Sequence, residues 1–249
     1  MSALLELRKV SLSFGGLRVV SDLDLALREG EIVSVIGPNG AGKTTVFNLL
    51  TKFHAPTSGR IFYNGDDITR AHPAELPRRG MGRSFQISAT FPHLTTIENV
   101  RIALQRNLGT SFHFWRSEKS LDALNDKAMS LLSDVGLTEF AAVPAGELPY
   151  GRKRALELAT TLALDPEILL LDEPMSGLSQ EDIARITDLI HKAAEKRSVL
   201  MVEHNLSVVA NLSDTITVLQ RGEILAEGPY EQVSRNPEVI EAYMGTGHA

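Results

Sequence analysis

Cysteine is absent from this 249-residue chain, which excludes disulfides and thiolate metal sites. Nor does any stretch approach the roughly 18 consecutive apolar residues that a membrane-crossing helix requires. The opening Met1-Ser2-Ala3-Leu4-Leu5-Glu6-Leu7-Arg8-Lys9 lacks the long apolar centre of a secretory signal. Positive charge is not in excess either: 25 Lys and Arg face 31 Asp and Glu, for a net charge of −6. That balance argues against a general nucleic-acid footprint. Any association with a membrane is therefore expected to run through a protein partner. No internal repeat or low-complexity segment is present. With 43% hydrophobic and 22% charged residues, the chain has the composition of a globular protein. Its length suits one large α/β domain, or such a domain with a smaller helical lobe.

What is present is a phosphate-binding pattern. Gly37-Pro38-Asn39-Gly40-Ala41-Gly42-Lys43-Thr44 matches Gly-x-x-x-x-Gly-Lys-[Ser/Thr] at every fixed position. It follows the apolar run Ile32-Val33-Ser34-Val35-Ile36 and opens a segment of helical character from Thr45 to Thr51, the context such a motif requires. Its glycines let backbone N–H groups turn inward around an anion at a helix N-terminus, where the helix dipole also favours negative charge. Lys43 is then expected to reach the β- and γ-phosphates, and Thr44 to place its hydroxyl on Mg²⁺. A nucleoside triphosphate is the expected ligand.

Short strands are expected at Leu4 to Leu7, Val10 to Phe14, Leu17 to Leu27 and Arg60 to Tyr63, separated by turns at Gly15-Gly16, Glu29-Gly30 and Pro56 to Gly59. Glycine and proline punctuate Ala71 to Gly82. From about Thr95 to Thr138 the apolar residues recur at helical spacing: Ile97, Val100, Leu104, Leu121, Leu124, Leu131 and Leu132 among them. That stretch is expected to form a helical subdomain inserted between two halves of one nucleotide-binding core. Next come a helix from Lys153 to Leu164, a strand from Ile168 to Leu171 and a helix from Ser179 to about Lys196. A strand from Val199 to Val202, a short helix, and a strand pair, Thr215 to Gln220 with Glu223 to Glu227, complete the chain.

The second chemical motif is Ile168-Leu169-Leu170-Leu171-Asp172-Glu173. Four consecutive aliphatics suit a strand buried on both faces of a parallel sheet. Its carboxyl end would deliver two adjacent carboxylates to the crevice where open α/β sheets bind ligands. Asp172 is suited to holding Mg²⁺, and Glu173 to orienting or deprotonating the water that attacks the γ-phosphate.

These motifs, with the segments between and after them, resemble the ATP-binding cassette (ABC) family over essentially the whole chain. The resemblance implies an α/β fold: a P-loop NTPase core with an antiparallel β subdomain and an inserted α-helical subdomain. One domain would span 1–249, with 1–94 and 160–249 forming the core and 95–159 the helical part that carries the signature motif. Gln86, in Arg83-Ser84-Phe85-Gln86, stands where that family places the glutamine that contacts Mg²⁺ and signals to the membrane partner. His204 matches the histidine that touches the γ-phosphate, and Phe14 the aromatic that stacks on adenine, although a core aromatic could equally stand at Phe14. Thr45 joins the residues expected to contact nucleotide. Leu148-Pro149-Tyr150-Gly151-Arg152 is similar to the signature usually read as Leu-Ser-Gly-Gly-Gln, so Tyr150 and Gly151 would offer backbone N–H groups to the opposite subunit's ATP. Pro149 departs from the pattern, because its ring removes a backbone donor. Arg152 would add positive charge near the phosphates. Ser176 to Ser179 corresponds to the dimer-contact loop, while Ser179 with Asp182 also reads as a helix N-cap.

Gly82 to Gln86, Phe91 to Val100, Val202 to Asn205 and Asn236 to Gly245 narrow the resemblance to importers of branched-chain amino acids and related amino acid or amide substrates. Within that class the larger ATPase subunit is the better match, with its extra helical residues around Arg106 to Lys119. The implied cofactors are ATP and Mg²⁺. The implied partners are membrane permease subunits, a second ATPase subunit in a homo- or heterodimer and, indirectly, a periplasmic substrate-binding protein, with no nucleic acid. The implied location is the cytoplasmic face of the inner membrane. Two alternatives stay open: an ATPase of a lipopolysaccharide or lipid exporter, and a non-transport cassette acting on ribosomes or DNA.

Overall fold

The computed structural model describes residues 3–83, 90–107 and 124–244. The chain begins with an antiparallel ribbon. β1 (Leu5–Phe14) pairs with β2 (Leu17–Leu27), and further along the chain β4 (Ser58–Tyr63) and the two-residue β5 (Asp66–Asp67) extend the same sheet in the order β2-β1-β4-β5. The two short strands expected before Gly15 are one continuous strand. Between Leu7 and Val10 its register slips against β2. Lys9 absorbs the irregularity at φ 47°, and its N–H donates to Asp24 Oδ1 at 2.9 Å instead of to a ladder carbonyl. Polar residues at a bulge made one strand look like two.

A six-stranded sheet holds the centre, in the order β10-β9-β3-β8-β7-β6. β3 (Ile32–Ile36) leads into α1 (Lys43–Leu50), and β6 (Met81–Arg83) follows a 3₁₀ segment, Pro73–Arg79. That segment lies in the Gly- and Pro-punctuated stretch and is capped by His72, whose side chain accepts from the Ala74 N–H. β7 (Ile168–Asp172), β8 (Ser198–Val202) and β9 (Thr215–Gln220) run parallel to β3 and β6, while β10 (Glu223–Gly228) pairs antiparallel at the edge. Every residue of β3, β7 and β8 is buried, as expected for a sheet covered on both faces.

Among the described residues the insertion comprises α2 (Thr96–Asn107), α3 (Asn125–Asp134) and two 3₁₀ turns leading to α4 (Tyr150–Leu162). α5 (Gln180–Ala194), α6 (Leu206–Leu212), α7 (Tyr230–Val233) and α8 (Pro237–Met244) complete the chain. α4 starts three residues before the expected Lys153, because Pro149 at its N-cap sets φ at −55° and favours helix entry. α5 is capped by Ser179, whose hydroxyl accepts from the Asp182 N–H at 3.2 Å. The boundary expected at residue 160 falls inside α4. Val100 and Leu104 of α2, Leu132 of α3, Leu156 of α4 and Leu169 and Leu171 of β7 share one core, so the helical lobe is packed onto the sheet rather than tethered to it. The extra helical residues expected around Arg106 to Lys119 lie, beyond Asn107, outside the described residues.

Leu156 is fully buried where lobe and sheet meet. Leu156→Ala should cost about 2–5 kcal/mol of stability, read as a lowered urea midpoint. A midpoint equal to wild type would show that lobe and sheet do not share a core.

Candidate active site

The phosphate loop begins where the buried β3 ends. An added Cβ at Gly37 would lie 2.3 Å from the Leu219 carbonyl oxygen. Gly42 caps α1 at φ 102°, a conformation L side chains rarely adopt. Within the turn, the Ala41 N–H bonds to Pro38 O at 3.1 Å, and Ala41 O accepts from the Gly222 N–H at 2.9 Å. Lys43 threads through the loop, its Nζ donating to Gly37 O at 2.7 Å and to Pro38 O at 3.1 Å. Burial pushes the Lys43 pKa down, and the Glu173 carboxylate opposes that shift. The lysine therefore lies within the electrostatic reach of the strand-end carboxylate on β7. Asn39, Gly40 and Thr44 are exposed on the rim, and Pro38 and Thr45 are half-buried.

Asp172 is the last residue of β7 and is buried, and its Oδ1 accepts no hydrogen bond from the protein. Burial raises its pKa, an effect opposed by the charges of Arg83 and Arg154 and reinforced by Glu173. A buried carboxylate oxygen without a protein donor fits a hard divalent cation or its bound water, and the exposed Thr44 hydroxyl at the head of α1 offers a second oxygen ligand. Among the described residues no group of three or more His, Asp or Glu side chains is placed to hold a metal ion by itself. A cation here would thus complete its shell with phosphate and water oxygens, as Mg²⁺ does in phosphoryl-transfer sites.

Glu173 adopts φ 45°, a left-handed conformation that costs a non-glycine residue about 1–3 kcal/mol and recurs at functional sites. Its N–H donates to Val202 O at 2.9 Å, which prolongs the β7–β8 ladder past Asp172. His204 lies two residues past β8, after Glu203, and is exposed. The structure thus brings the loop, Asp172, Glu173 and His204 to the carboxyl ends of the neighbouring strands β3, β8 and β7. Gln86 lies outside the described residues. Just before it, Arg83 ends β6, bonding Thr51 Oγ1 at 2.8 Å with its guanidinium 4.9 Å from the Phe47 ring and 4.4 Å from Phe53.

Phe14 is 48% exposed at the end of β1 and meets His54 edge-on at 5.3 Å; it is not a core aromatic. Tyr150 and Gly151 open α4 against the segment that follows β7 and the start of α5. The Tyr150 hydroxyl donates to Ser176 O at 3.3 Å, and a Cβ at Gly151 would lie 2.2 Å from the Asp182 carboxyl carbon. Within the chain, Arg152 is held by the helical lobe. Its Nη1 donates to Gly136 O at 2.8 Å and its guanidinium lies 5.1 Å from the Phe140 ring. The carbonyl and ring of the helical lobe draw it along the flank of α4.

Two neighbours of the site escape a reading of the sequence. Glu203, fully buried between β8 and His204, reads in sequence as a solvated strand end; the one signal is its place after the apolar run Val199 to Val202, as Asp172 stands after Ile168 to Leu171. Tyr243 of α8 packs with Ile36 and Val209, and its hydroxyl meets the Gly37 backbone. A cleft of about 600 Å³ separates Pro38 to Ala41 from Arg221, Glu238 and Glu241.

This fold and strand-edge arrangement define a P-loop nucleotide-binding cassette. Residues 20–176 match the family model described as ABC transporter, and residues 223–249 match that of the branched-chain amino acid ATP-binding cassette transporter. The chain belongs to the ABC transporter family. It is 41% identical to BraF of Pseudomonas aeruginosa, a high-affinity branched-chain amino acid transport ATP-binding protein, over 97% of this chain and 98% of that one. Its identity to LivG of Escherichia coli, which carries the same description, is 39% at the same coverage. Among solved structures, the ADP conformation of an ATP-binding cassette of an ABC transporter superposes with a TM-score of 0.86 at 28% identity, covering 98% of this chain and 100% of that one.

Because Phe14 is an exposed aromatic rather than a packed one, Phe14→Ala should weaken binding of a fluorescent ATP analogue without lowering the melting temperature. Unchanged affinity with a lowered melting temperature would place Phe14 in a structural role.

Proposed function

We propose that this chain is the ATP-binding and ATP-hydrolysing subunit of an ABC importer for branched-chain amino acids or related amino acid or amide substrates. The observation that carries this reading is the near full-length match to BraF and LivG, joined to a strand edge that holds the loop, Asp172, Glu173 and His204. The C-terminal match at 223–249 favours import over lipid export. The cassette works as one of two, in a homo- or heterodimer, on membrane permease subunits at the cytoplasmic face of the inner membrane. A periplasmic binding protein delivers substrate to the permease. Among the described residues no helix is long and apolar enough to cross a membrane, so the permease supplies the pathway. No nucleic acid takes part.

The chemistry needs positioning and charge neutralisation more than covalent help. The N–H groups of residues 37–45 cradle the phosphates, and Phe14 stacks on the base. Lys43 turns from the Gly37 and Pro38 carbonyls to the β- and γ-phosphates. Thr44, Gln86 and Asp172 would hold Mg²⁺, whose chemistry there is to reduce the negative charge of the phosphates. Glu173 aligns the attacking water, and His204 donates to the γ-phosphate. Across the dimer, the Tyr150 and Gly151 N–H groups at the start of α4 meet the partner's ATP.

Glu173→Gln should slow hydrolysis by about 10²–10³-fold or more while ATP binding persists, measured by phosphate release and by retention of labelled ATP. Wild-type turnover in that variant would remove Glu173 from the reaction. Pro149 leaves one donor fewer at the α4 N-terminus, so Pro149→Ser should raise the ATPase rate of the assembled transporter. Unchanged or lower activity with intact assembly would make Pro149 a helix-entry residue only.

A further inference from the structure

Glu203 is a fully buried carboxylate to which the chemistry above gives no task. All its partners are backbone donors. Oε1 accepts from the Met175 N–H at 2.9 Å. Oε2 accepts from the His204 N–H at 2.9 Å and the Asn205 N–H at 3.1 Å. Its own N–H donates to Val35 O at 3.2 Å, which extends the β3–β8 ladder. Among the described residues no Lys, Arg or His forms a salt bridge with it, and backbone N–H groups occupy both of its oxygens. Burying a carboxylate is unfavourable unless it is well hydrogen-bonded. Its two oxygens hold two loops at once, Oε1 on the Met175 side and Oε2 on the side of His204 and Asn205.

The two loops are the ones that carry the hydrolytic groups. Met175 lies two residues after Glu173 and is itself buried, while His204 and Asn205 start the segment after β8. β7 and β8 are neighbours in register, Asp172 opposite Val202, so the carboxylate spans the gap just beyond the last paired residues. Glu173 is tied on its other side through its N–H to Val202 O. Pulling His204 toward a γ-phosphate therefore pulls on Oε2 of Glu203, and through Oε1 on the loop that aims Glu173 and leads to Ser176–Ser179.

We propose that Glu203 is a positioning residue of the hydrolytic site, coupling the His204 loop to the Glu173 loop so that the two approach the γ-phosphate together. The proposal rests on the roles assigned above to Glu173 and His204. Glu203→Gln keeps size and one acceptor oxygen but sets an NH₂ group against backbone N–H donors. A misplacement of about 1 Å costs on the order of 10²-fold in rate. In the full-length folded chain kcat should therefore fall about 10- to 100-fold while KM for ATP is unchanged. A second readout needs no turnover. In the ¹⁵N-labelled wild-type chain, the nonhydrolysable analogue AMP-PNP should shift the amides of Met175, His204 and Asn205 together. In Glu203→Gln the His204 amide should still respond while that of Met175 does not. Glu203→Asp, which keeps the charge at a shorter reach, undergoes the same measurements if the glutamine variant does not fold. Wild-type kcat in the folded variant, or an AMP-PNP response at Met175 that survives the substitution, would overturn the coupling while leaving the hydrolytic reading intact. Undiminished turnover in Glu173→Gln would instead overturn the hydrolytic reading and the coupling with it.

Discussion

The parallel ladder β3–β8–β7 is the constraint on which everything else depends. Three adjacent strands, buried along their whole length, must all end at one edge, and each buried backbone must find partners beyond its last paired residue. The ladder is prolonged into the loops by Glu173 N–H to Val202 O and Glu203 N–H to Val35 O. Polar and charged groups that would be intolerable inside the sheet are thus held rigidly at its rim. Sites built on such elements are better preorganised than sites on free loops.

Charge sits at this edge in a graded way. Asp172 is buried with an unsatisfied oxygen and a raised pKa, Lys43 is buried with a lowered one, and Glu173 and His204 are more accessible. Lys43 already donates to the Gly37 and Pro38 carbonyls, while the open oxygen of Asp172 has room for a further polar partner. Glu203 is the contrasting case: its oxygens are fully used by Met175, His204 and Asn205, which suits holding parts together and not binding a ligand. The start of α4, by contrast, faces Ser176 and Asp182.

Legibility in the sequence followed how local the physics was. Gly37 to Thr44 could be read because the turn, the anion cradle and the helix start are all set within eight residues. Ile168 to Leu171 could be read because a continuous aliphatic run has few other fates than a buried strand. The two pieces of β1 were split because a bulge at Lys9 interrupts the alternation. Arg152 could not be placed, because its partners Gly136 and Phe140 come from the packed helical lobe. Glu203 was invisible for the same reason. Only the juxtaposition of β7 and β8 brings the Met175 amide to it, and a lone acidic residue at a strand end otherwise reads as solvated.

Phosphate release from Mg-ATP by the purified full-length chain, compared with that of Lys43→Ala, bears most directly on whether these loops form one hydrolytic edge. Saturable release is predicted for the wild type, with a rate about 10²–10³-fold lower once the lysine charge is removed. Equal rates in the two chains, or no release from the wild type alone or assembled with its permease, would contradict it.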